Sequence, residues 1–268
     1  MINRLKPIII QKQREIAALY HLLKAMPEHD IAKIHRGEIT STISKKFKPA
    51  LQRSTLAVIA EIKRQSPSHG LLAPITDPVA LAKSYVSAKA NAISVLTEEK
   101  FFNGNLNDLI QVANTLRKTN IPVLRKDFIL DVIQISESIV AGANAILCIV
   151  AVLGKKTKMI LDNARALGID VLVEVIDHDE LELAIDSGAE IIAINNRHLK
   201  TFEVNTERSL QLIQYIPNHI IKVAASGITN AAIAQQYRQA GFDAVLIGEA
   251  LVKSDNPTLF IEACRHDF

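Results

Sequence analysis

Tryptophan is absent from this 268-residue chain, cysteine occurs twice, and none of the ten glycines stands two positions from another. Two cysteines, Cys148 in an apolar run and Cys264 near the end, cannot build a disulfide framework, so the expected setting is a reducing cytoplasm. The missing Gly-x-Gly removes the dinucleotide fingerprint of an open doubly wound sheet, and there is neither a P-loop nor a GxSxG elbow. The eight histidines show no metal-ligand spacing, HExxH does not occur, and neither a metal site nor a redox cofactor is implied. Charge of one sign is also lacking. The 31 basic and 28 acidic residues leave +3, and no basic block is interleaved with aromatics, so nucleic acid has no footprint. Lys45-Lys46 and Lys155-Lys156 read as solvated faces. Uncharged apolar runs such as 141–153 are too short for a bilayer span. Gln11, Lys12 and Arg14 interrupt the apolar start too early for a signal-peptide core.

What is present is apolar chain in regular portions, 49% of it hydrophobic. A helical stretch repeatedly ends at a residue tolerant of left-handed backbone, and an apolar run follows within a few positions. Gly142, Gly168, Gly188 and Gly241 mark such junctions, with Asn120 and Asn218 in the same role and Lys89 as the odd residue out. Together with 57–62, these junctions predict strands at 92–96, 121–125, 145–149, 171–175, 191–195, 221–225 and 244–248. Helical patterns such as 78–88 and 230–240 lie between them. Eight continuous apolar strands separated by helices predict a closed (β/α)8 TIM barrel over residues 51–268. Ahead of it, Leu5, Ile9, Ile16, Leu19 and Leu23 at helical spacing predict an extension over residues 1–50, which could plug the barrel's bottom or cover its other end.

Barrels of this kind place chemistry at the C-terminal ends of their strands, and polar residues collect there. The first strand ends in Glu61 and Lys63, followed by Ser66-Pro67-Ser68; the third in Arg125-Lys126-Asp127; the fifth in Glu174; the sixth in Asn195-Asn196-Arg197. The seventh ends in Ser226-Gly227 and the eighth in Gly248-Glu249. Period-two alternation puts Glu61 with Lys63, Leu124 with Lys126, and Leu172 with Glu174 on common faces. Ser226, Gly227 and Gly248 suit a phosphate held by backbone N–H groups, with Thr229 or Asn230 capping the next helix and Ser66 and Ser68 assisting. His69 reads as a solvated loop residue.

The motifs VIAEIKRQSPSHG, ISVLTEEKFFNG, VLRKDFILD, VLVEV, INNRHLKTFEVN, ASGI and LIGEALV follow one another in order. Over residues 55–255 the chain resembles the indole-3-glycerol phosphate synthase family. The resemblance implies ring closure, decarboxylation and dehydration of 1-(2-carboxyphenylamino)-1-deoxyribulose 5-phosphate to indole-3-glycerol phosphate, without a cofactor. By motif position it implies Lys126 as general acid, Glu174 as base in the dehydration and Lys63 as a substrate-binding and second acidic group. Glu61 and Asn195 would orient the reacting groups, and Phe102 and Phe128 would flank the substrate ring. Ser66, Ser226, Gly227 and Gly248 would bind phosphate, with Arg197 at the same rim as a loop anchor. The expected partner is this anionic small molecule, with no nucleic acid or membrane, and the expected state is a monomer.

The family usually carries a glutamate where Ala225 stands. Smaller departures are Lys89 at an expected glycine, Asn105 at a common serine and Ala250 at a common small hydroxyl residue. Two lysines close together and partly shielded should each have a lowered pKa, with Glu61 and Glu174 opposing. Two other readings stay open: a Schiff-base aldolase using Lys126 or Lys63, and a barrel that only binds its ligand, motivated by Ala225.

Overall fold

The computed structural model describes residues 5–39, 43, 46–67, 70–199 and 201–265. Ser68, His69 and Lys45 lie outside these described residues. The barrel strands are β1 (Ala57–Ile62), β2 (Ala92–Leu96), β3 (Val123–Lys126), β4 (Ala145–Ile149), β5 (Asp170–Val175), β6 (Ile191–Asn195), β7 (Ile221–Ala225) and β8 (Ala244–Ile247). Each pairs in parallel with its sequence neighbours and β1 pairs with β8, so the sheet closes on itself. The (β/α)8 barrel expected from the junctions is the fold observed, and most strand limits fall within a residue of their predicted places.

Alternation divides the apolar residues into two cores. Ala57, Ile59, Leu124, Leu172, Ala193, Val223 and Leu246 fill the barrel, whereas Val58, Ala60, Ile93, Ile146, Val173, Ile192 and Val245 pack outward against helices. One further step of two residues beyond the last inward apolar side chain arrives at Glu61, Lys126, Glu174, Asn195, Ala225 and Gly248. The register that packs the core therefore also aims the polar groups. A slip of one residue would send every one of them outward.

Among the described residues three helices precede the barrel: α1 (Leu5–Ala25), α2 (Asp30–His35) and α3 (Phe47–Leu51). The sequence pattern is compatible with helices at either end of the barrel, and the structure uses both ends. The fully buried Phe47 and Leu51 of α3 join the inner core beside Ala57, Leu172 and Ile191. Asp170 Oδ2 accepts from the backbone N–H groups of Phe47 (2.6 Å) and Lys48 (3.0 Å), while Lys48 Nζ meets Glu190 at 2.6 Å. Asp170 and Glu190 stand at the starts of β5 and β6, so α3 closes the N-terminal end. Helix α1 lies at the opposite end, where its Leu5 and Ile8 share a cluster with Phe128.

The remaining helices are α4 (Pro78–Ser87), α5 (Glu99–Phe102), α6 (Leu106–Leu116), α7 (Ile133–Val140), α8 (Val150–Leu153), α9 (Thr157–Ala166), α10 (His178–Asp186), α11 (Glu207–Leu212), α12 (Ala231–Gln239), α13 (Glu249–Lys253) and α14 (Pro257–Arg265). Asn105 caps α6 by accepting from Asn107 N, so it serves where a serine is common, and Asn230 caps α12. Both cysteines are free and buried, and burial pushes each thiol up to about 12.

The junction glycines Gly142, Gly168, Gly188 and Gly241 have positive φ as expected, but Asn120 and Asn218 do not. The chain leaves α6 instead through a turn in which Thr119 Oγ1 accepts from Ile121 N, and near Asn218 through a turn closed by Ile220 N on Pro217 O. Lys89 does take the left-handed conformation, with φ 65°, and Ala90 N closes the end of α4 on Tyr85 O. A side chain there carries the steric cost that glycine avoids. Lys89→Gly should raise the unfolding free energy by about 1 kcal/mol. Urea denaturation checks this, and a destabilised variant would refute it.

Candidate active site

Four charged side chains of alternating sign form a row across the C-terminal mouth. Lys63 Nζ lies 2.8 Å from Glu61 Oε1, and Lys126 Nζ lies 3.8 Å from both Glu61 Oε2 and Glu174 Oε2. Both glutamates are 2% exposed. Among the described residues neither Glu61 Oε2 nor Glu174 Oε2 has a hydrogen-bond partner, so each carboxylate keeps an acceptor for a ligand.

Burial alone would push the Glu61 carboxyl up, but Lys63 and then Lys126 outweigh it and hold the group below the ordinary carboxylate range. Burial likewise pulls Lys126 down, yet Glu61 and Glu174 together outweigh it and hold the ammonium above the ordinary lysine range. The expected lowering of the Lys126 pKa is therefore overturned, because two carboxylates face this amine and only one other lysine joins the row.

The row borders a cavity of about 770 Å³, lined by all four charged residues, Asn195, Arg197, Ala225, Ser226, Gly227 and Gly248. At one side the backbone is held in tight conformations. Ser226 has φ 65° and Gly227 φ 78°, and a Cβ on Gly227 would lie 2.8 Å from Thr206 Cγ2. Two consecutive residues with positive φ make a tight turn at the cavity's edge, and turns are among the backbone conformations that can present N–H groups to an anion. Buried Asn196 fixes this turn by donating to Ser226 O (3.1 Å) and Tyr237 Oη (2.8 Å) while accepting from Ser209. Gly248 is glycine for a different reason. A methyl there would overlap Glu61 Oε1 and come within 3.1 Å of Lys63 Nζ.

Asn195 Oδ1 accepts from Arg197 N, which leaves the NH2 end of its amide for a ligand. Arg197 donates to Phe202 O at 3.3 Å and meets Glu249 at 3.5 Å, thereby tying the loop after β6 to the start of α13. Ala225 faces inward beside Asn195 and Leu246.

The opposite side is apolar. A recess of about 90 Å³ shares the four charged residues and adds Leu96, Leu147, Ile149, Leu199, Phe202, Phe102 and Phe128, with Ser66 and Pro67 at its edge. The rings of Phe102 and Phe128 have centroids 6.1 Å apart and tilt by 44°, so they form one continuous wall, not two jaws. Ser66 is placed at this recess, which Ser226 also lines, and not among the residues around Gly248. Glu98 holds the helix carrying Phe102, accepting from Phe101 N (2.7 Å) and Phe102 N (2.9 Å).

Behind Lys126 runs a second, buried ionic network. Asp127 accepts from Thr97 Oγ1 at 2.7 Å and pairs with Arg125 at 3.1 Å and with Lys12 of α1 at 2.7 Å. Arg125 also reaches Glu137 at 2.8 Å. Lys12 is 2% exposed, a buried cation on a helix where periodicity leads one to expect an apolar residue. Spacing gave no signal for it, nor for Phe202, which lies in an irregular loop. The wall residues Leu96 and Ile149 were detectable as inward positions of β2 and β4. Among the described residues no three His, Cys, Asp or Glu side chains converge as a metal site, and no helix is long and apolar enough to cross a membrane.

A closed parallel barrel whose strand ends enclose a charged row between a glycine-rich turn and an apolar wall defines a (β/α)8-barrel enzyme. The family model described as indole-3-glycerol phosphate synthase matches residues 5–264, and the chain belongs to that family. It is 44% identical over 217 residues to indole-3-glycerol phosphate synthase of Thermoanaerobacter pseudethanolicus, covering 81% of this chain and 82% of that one. The corresponding protein of Chlorobium phaeovibrioides is 43% identical over 250 residues, covering 92% and 93%. Among solved structures, 3-hexulose-6-phosphate synthase from Salmonella typhimurium aligns with a TM-score of 0.60 at 16% identity, covering 78% of this chain and 96% of that one, a likeness of fold alone.

Gly248→Ala should leave the barrel folded but displace the Glu61–Lys63 pair, lowering turnover by about tenfold or more. Circular dichroism and steady-state kinetics check this, and unaltered kinetics would remove the close-approach argument. Linkage gives a second expectation. Glu61, with its depressed value, contributes stability that is present above the unfolded carboxylate value and lost as pH falls through the folded one. The contribution of Lys126 is present below the unfolded lysine value and lost as pH rises through its raised folded value. Stability should hold a plateau between these limits. In Lys126→Met the acid limb of urea unfolding should move to higher pH, because one of the two cations holding Glu61 down is gone; an unmoved limb would refute the coupling.

Proposed function

We propose that the protein is a carbon–carbon lyase of tryptophan biosynthesis, closing the indole ring of 1-(2-carboxyphenylamino)-1-deoxyribulose 5-phosphate with release of carbon dioxide and water. The observation that carries this reading is the alternating row Lys63–Glu61–Lys126–Glu174 standing between the two unlike sides of the cavity. The phosphate occupies the turn at Ser226, Gly227 and Gly248, and the carboxyphenyl ring rests on the wall of Phe102 and Phe128. The ribulose carbonyl then falls over the row. Ser66 and Arg197 hold the rim, and Asn195 orients the substrate through its NH2 end.

In the first step the ring carbon bearing the carboxylate bonds to the carbonyl carbon while Lys126 protonates the developing alkoxide. An alkoxide is far more basic than an amine, so an ammonium held above its ordinary pKa remains a competent donor here. Loss of carbon dioxide returns the bonding electrons to the ring and restores aromaticity. In the last step the hydroxyl leaves as water with a proton from Lys63, and Glu174 removes the proton from the neighbouring carbon. Glu61 sits between the lysines and orients both. A Schiff base at Lys126 would need the free amine, which its two carboxylate neighbours disfavour.

On this reading residues 1–50 form the extension and 51–268 the catalytic barrel, working as a monomer in the cytoplasm. Lys126→Ala should lower kcat by about a hundredfold or more while the fold and substrate affinity persist. Indole fluorescence with the carboxyphenylamino substrate measures it, and product formation at the unmodified rate would refute the general-acid role. Borohydride trapping of a lysine adduct would favour the Schiff-base alternative.

A further inference from the structure

Near the glycine-rich turn the cavity has a carboxylate where an anion is to be bound. Glu249 lines this side together with Arg197 and Lys253, and among the described lining residues outside the central row these are the charged ones. Glu249 Oε1 meets Lys253 Nζ at 2.7 Å, and Glu249 Oε2 meets Arg197 at 3.5 Å. Among the described lining residues outside the row, Glu249 and Arg197 balance in formal charge, and Lys253, one helical turn along α13 from Glu249, adds a positive one.

We infer that Lys253 is a further phosphate-binding residue, supplying the net positive charge of the phosphate side, with Glu249 holding its ammonium at the cavity edge. The inference rests on the phosphorylated substrate proposed above. A carboxylate beside a phosphate repels it unless a cation intervenes, and an i,i+4 pair on a helix sets the ammonium over the preceding turn, toward Gly248. The side chain is 48% exposed, so it can turn from Glu249 to an incoming phosphate oxygen without loss of packing. As a plain surface pair, Lys253–Glu249 would have no bearing on an anion in the cavity. As a binding residue, it contributes to capture of the phosphate and little to the bond-making steps.

The test compares Lys253→Met, Lys253→Arg and Lys158→Met in the full chain. Lys158 forms a similar i,i+4 pair with Asp162 on α9 and does not line the cavity, so its variant controls for loss of one charge. Inorganic phosphate should bind the unmodified protein in calorimetry and compete with the ribulose phosphate substrate. Lys253→Met should weaken phosphate binding and raise KM by about fivefold to thirtyfold, with kcat within about twofold. Lys253→Arg should restore most of the affinity, and Lys158→Met should change neither constant. The inference is overturned if Lys253→Met binds phosphate as the unmodified protein does, if Lys158→Met loses as much, or if the unmodified protein binds no phosphate. If the unmodified protein binds phosphate but does not turn over the carboxyphenylamino substrate, the proposed reaction fails, and the phosphate titrations still decide the role of Lys253.

Discussion

The mouth of this barrel depends on charge alternation among four side chains that could not be buried singly. A lone carboxylate or ammonium taken from water costs far more than a small protein's net stability, and ordinarily it would shed its charge. Here Lys63, Glu61, Lys126 and Glu174 alternate in sign along a row, and the neighbours of Glu61 and Lys126 favour the ionised forms of these two. The row can exist only if β1, β3 and β5 carry matching registers, since Glu61, Lys126 and Glu174 are each the second residue beyond an inward apolar one. Packing and chemistry are therefore set by one alignment of strands. Even the absence of a side chain at Gly248 belongs to this arrangement, because the Glu61–Lys63 pair fills the space a methyl would need.

A second layer of charge supports the first. Asp127, next in sequence to Lys126, joins a network with Thr97, Arg125 and Lys12. Lys12 comes from α1, so a helix outside the barrel is tied by a buried ion pair to the strand that carries the central lysine. Removing one partner from such a pair leaves the other charge buried and uncompensated, which is costlier than never having built the pair. The apolar wall is anchored in the same neighbourhood, with Glu98 closing the turn that presents Phe102.

Much of this was legible in the chain before folding. The strands of the barrel announced themselves as apolar runs after helix-ending residues, and polar groups at six strand ends marked the mouth. The two strands left out of that polar set, β2 and β4, end inward in Leu96 and Ile149, and these are the apolar wall. What could not be read was interaction between elements distant in sequence. Lys12 looked like an ordinary polar residue of an amphipathic helix because its partner lies 115 positions later. For Lys126 the motifs predict a lowered pKa with Glu61 and Glu174 opposing, whereas in the fold these two carboxylates outweigh burial, a balance that only their distances decide. Lys89 stood out as a wrong residue type in a junction pattern, and its backbone adopts the glycine-like conformation regardless.

Helix α3 carries a consequence for how the molecule is made. Its backbone is held by Asp170 and its lysine by Glu190, contacts spanning 122 to 142 residues of chain. During synthesis Phe47 and Leu51 can meet β1 and β2 soon after they emerge, but the polar anchors at Asp170 and Glu190 exist only after more than a hundred further residues, so locking of the cylinder's floor is a late event.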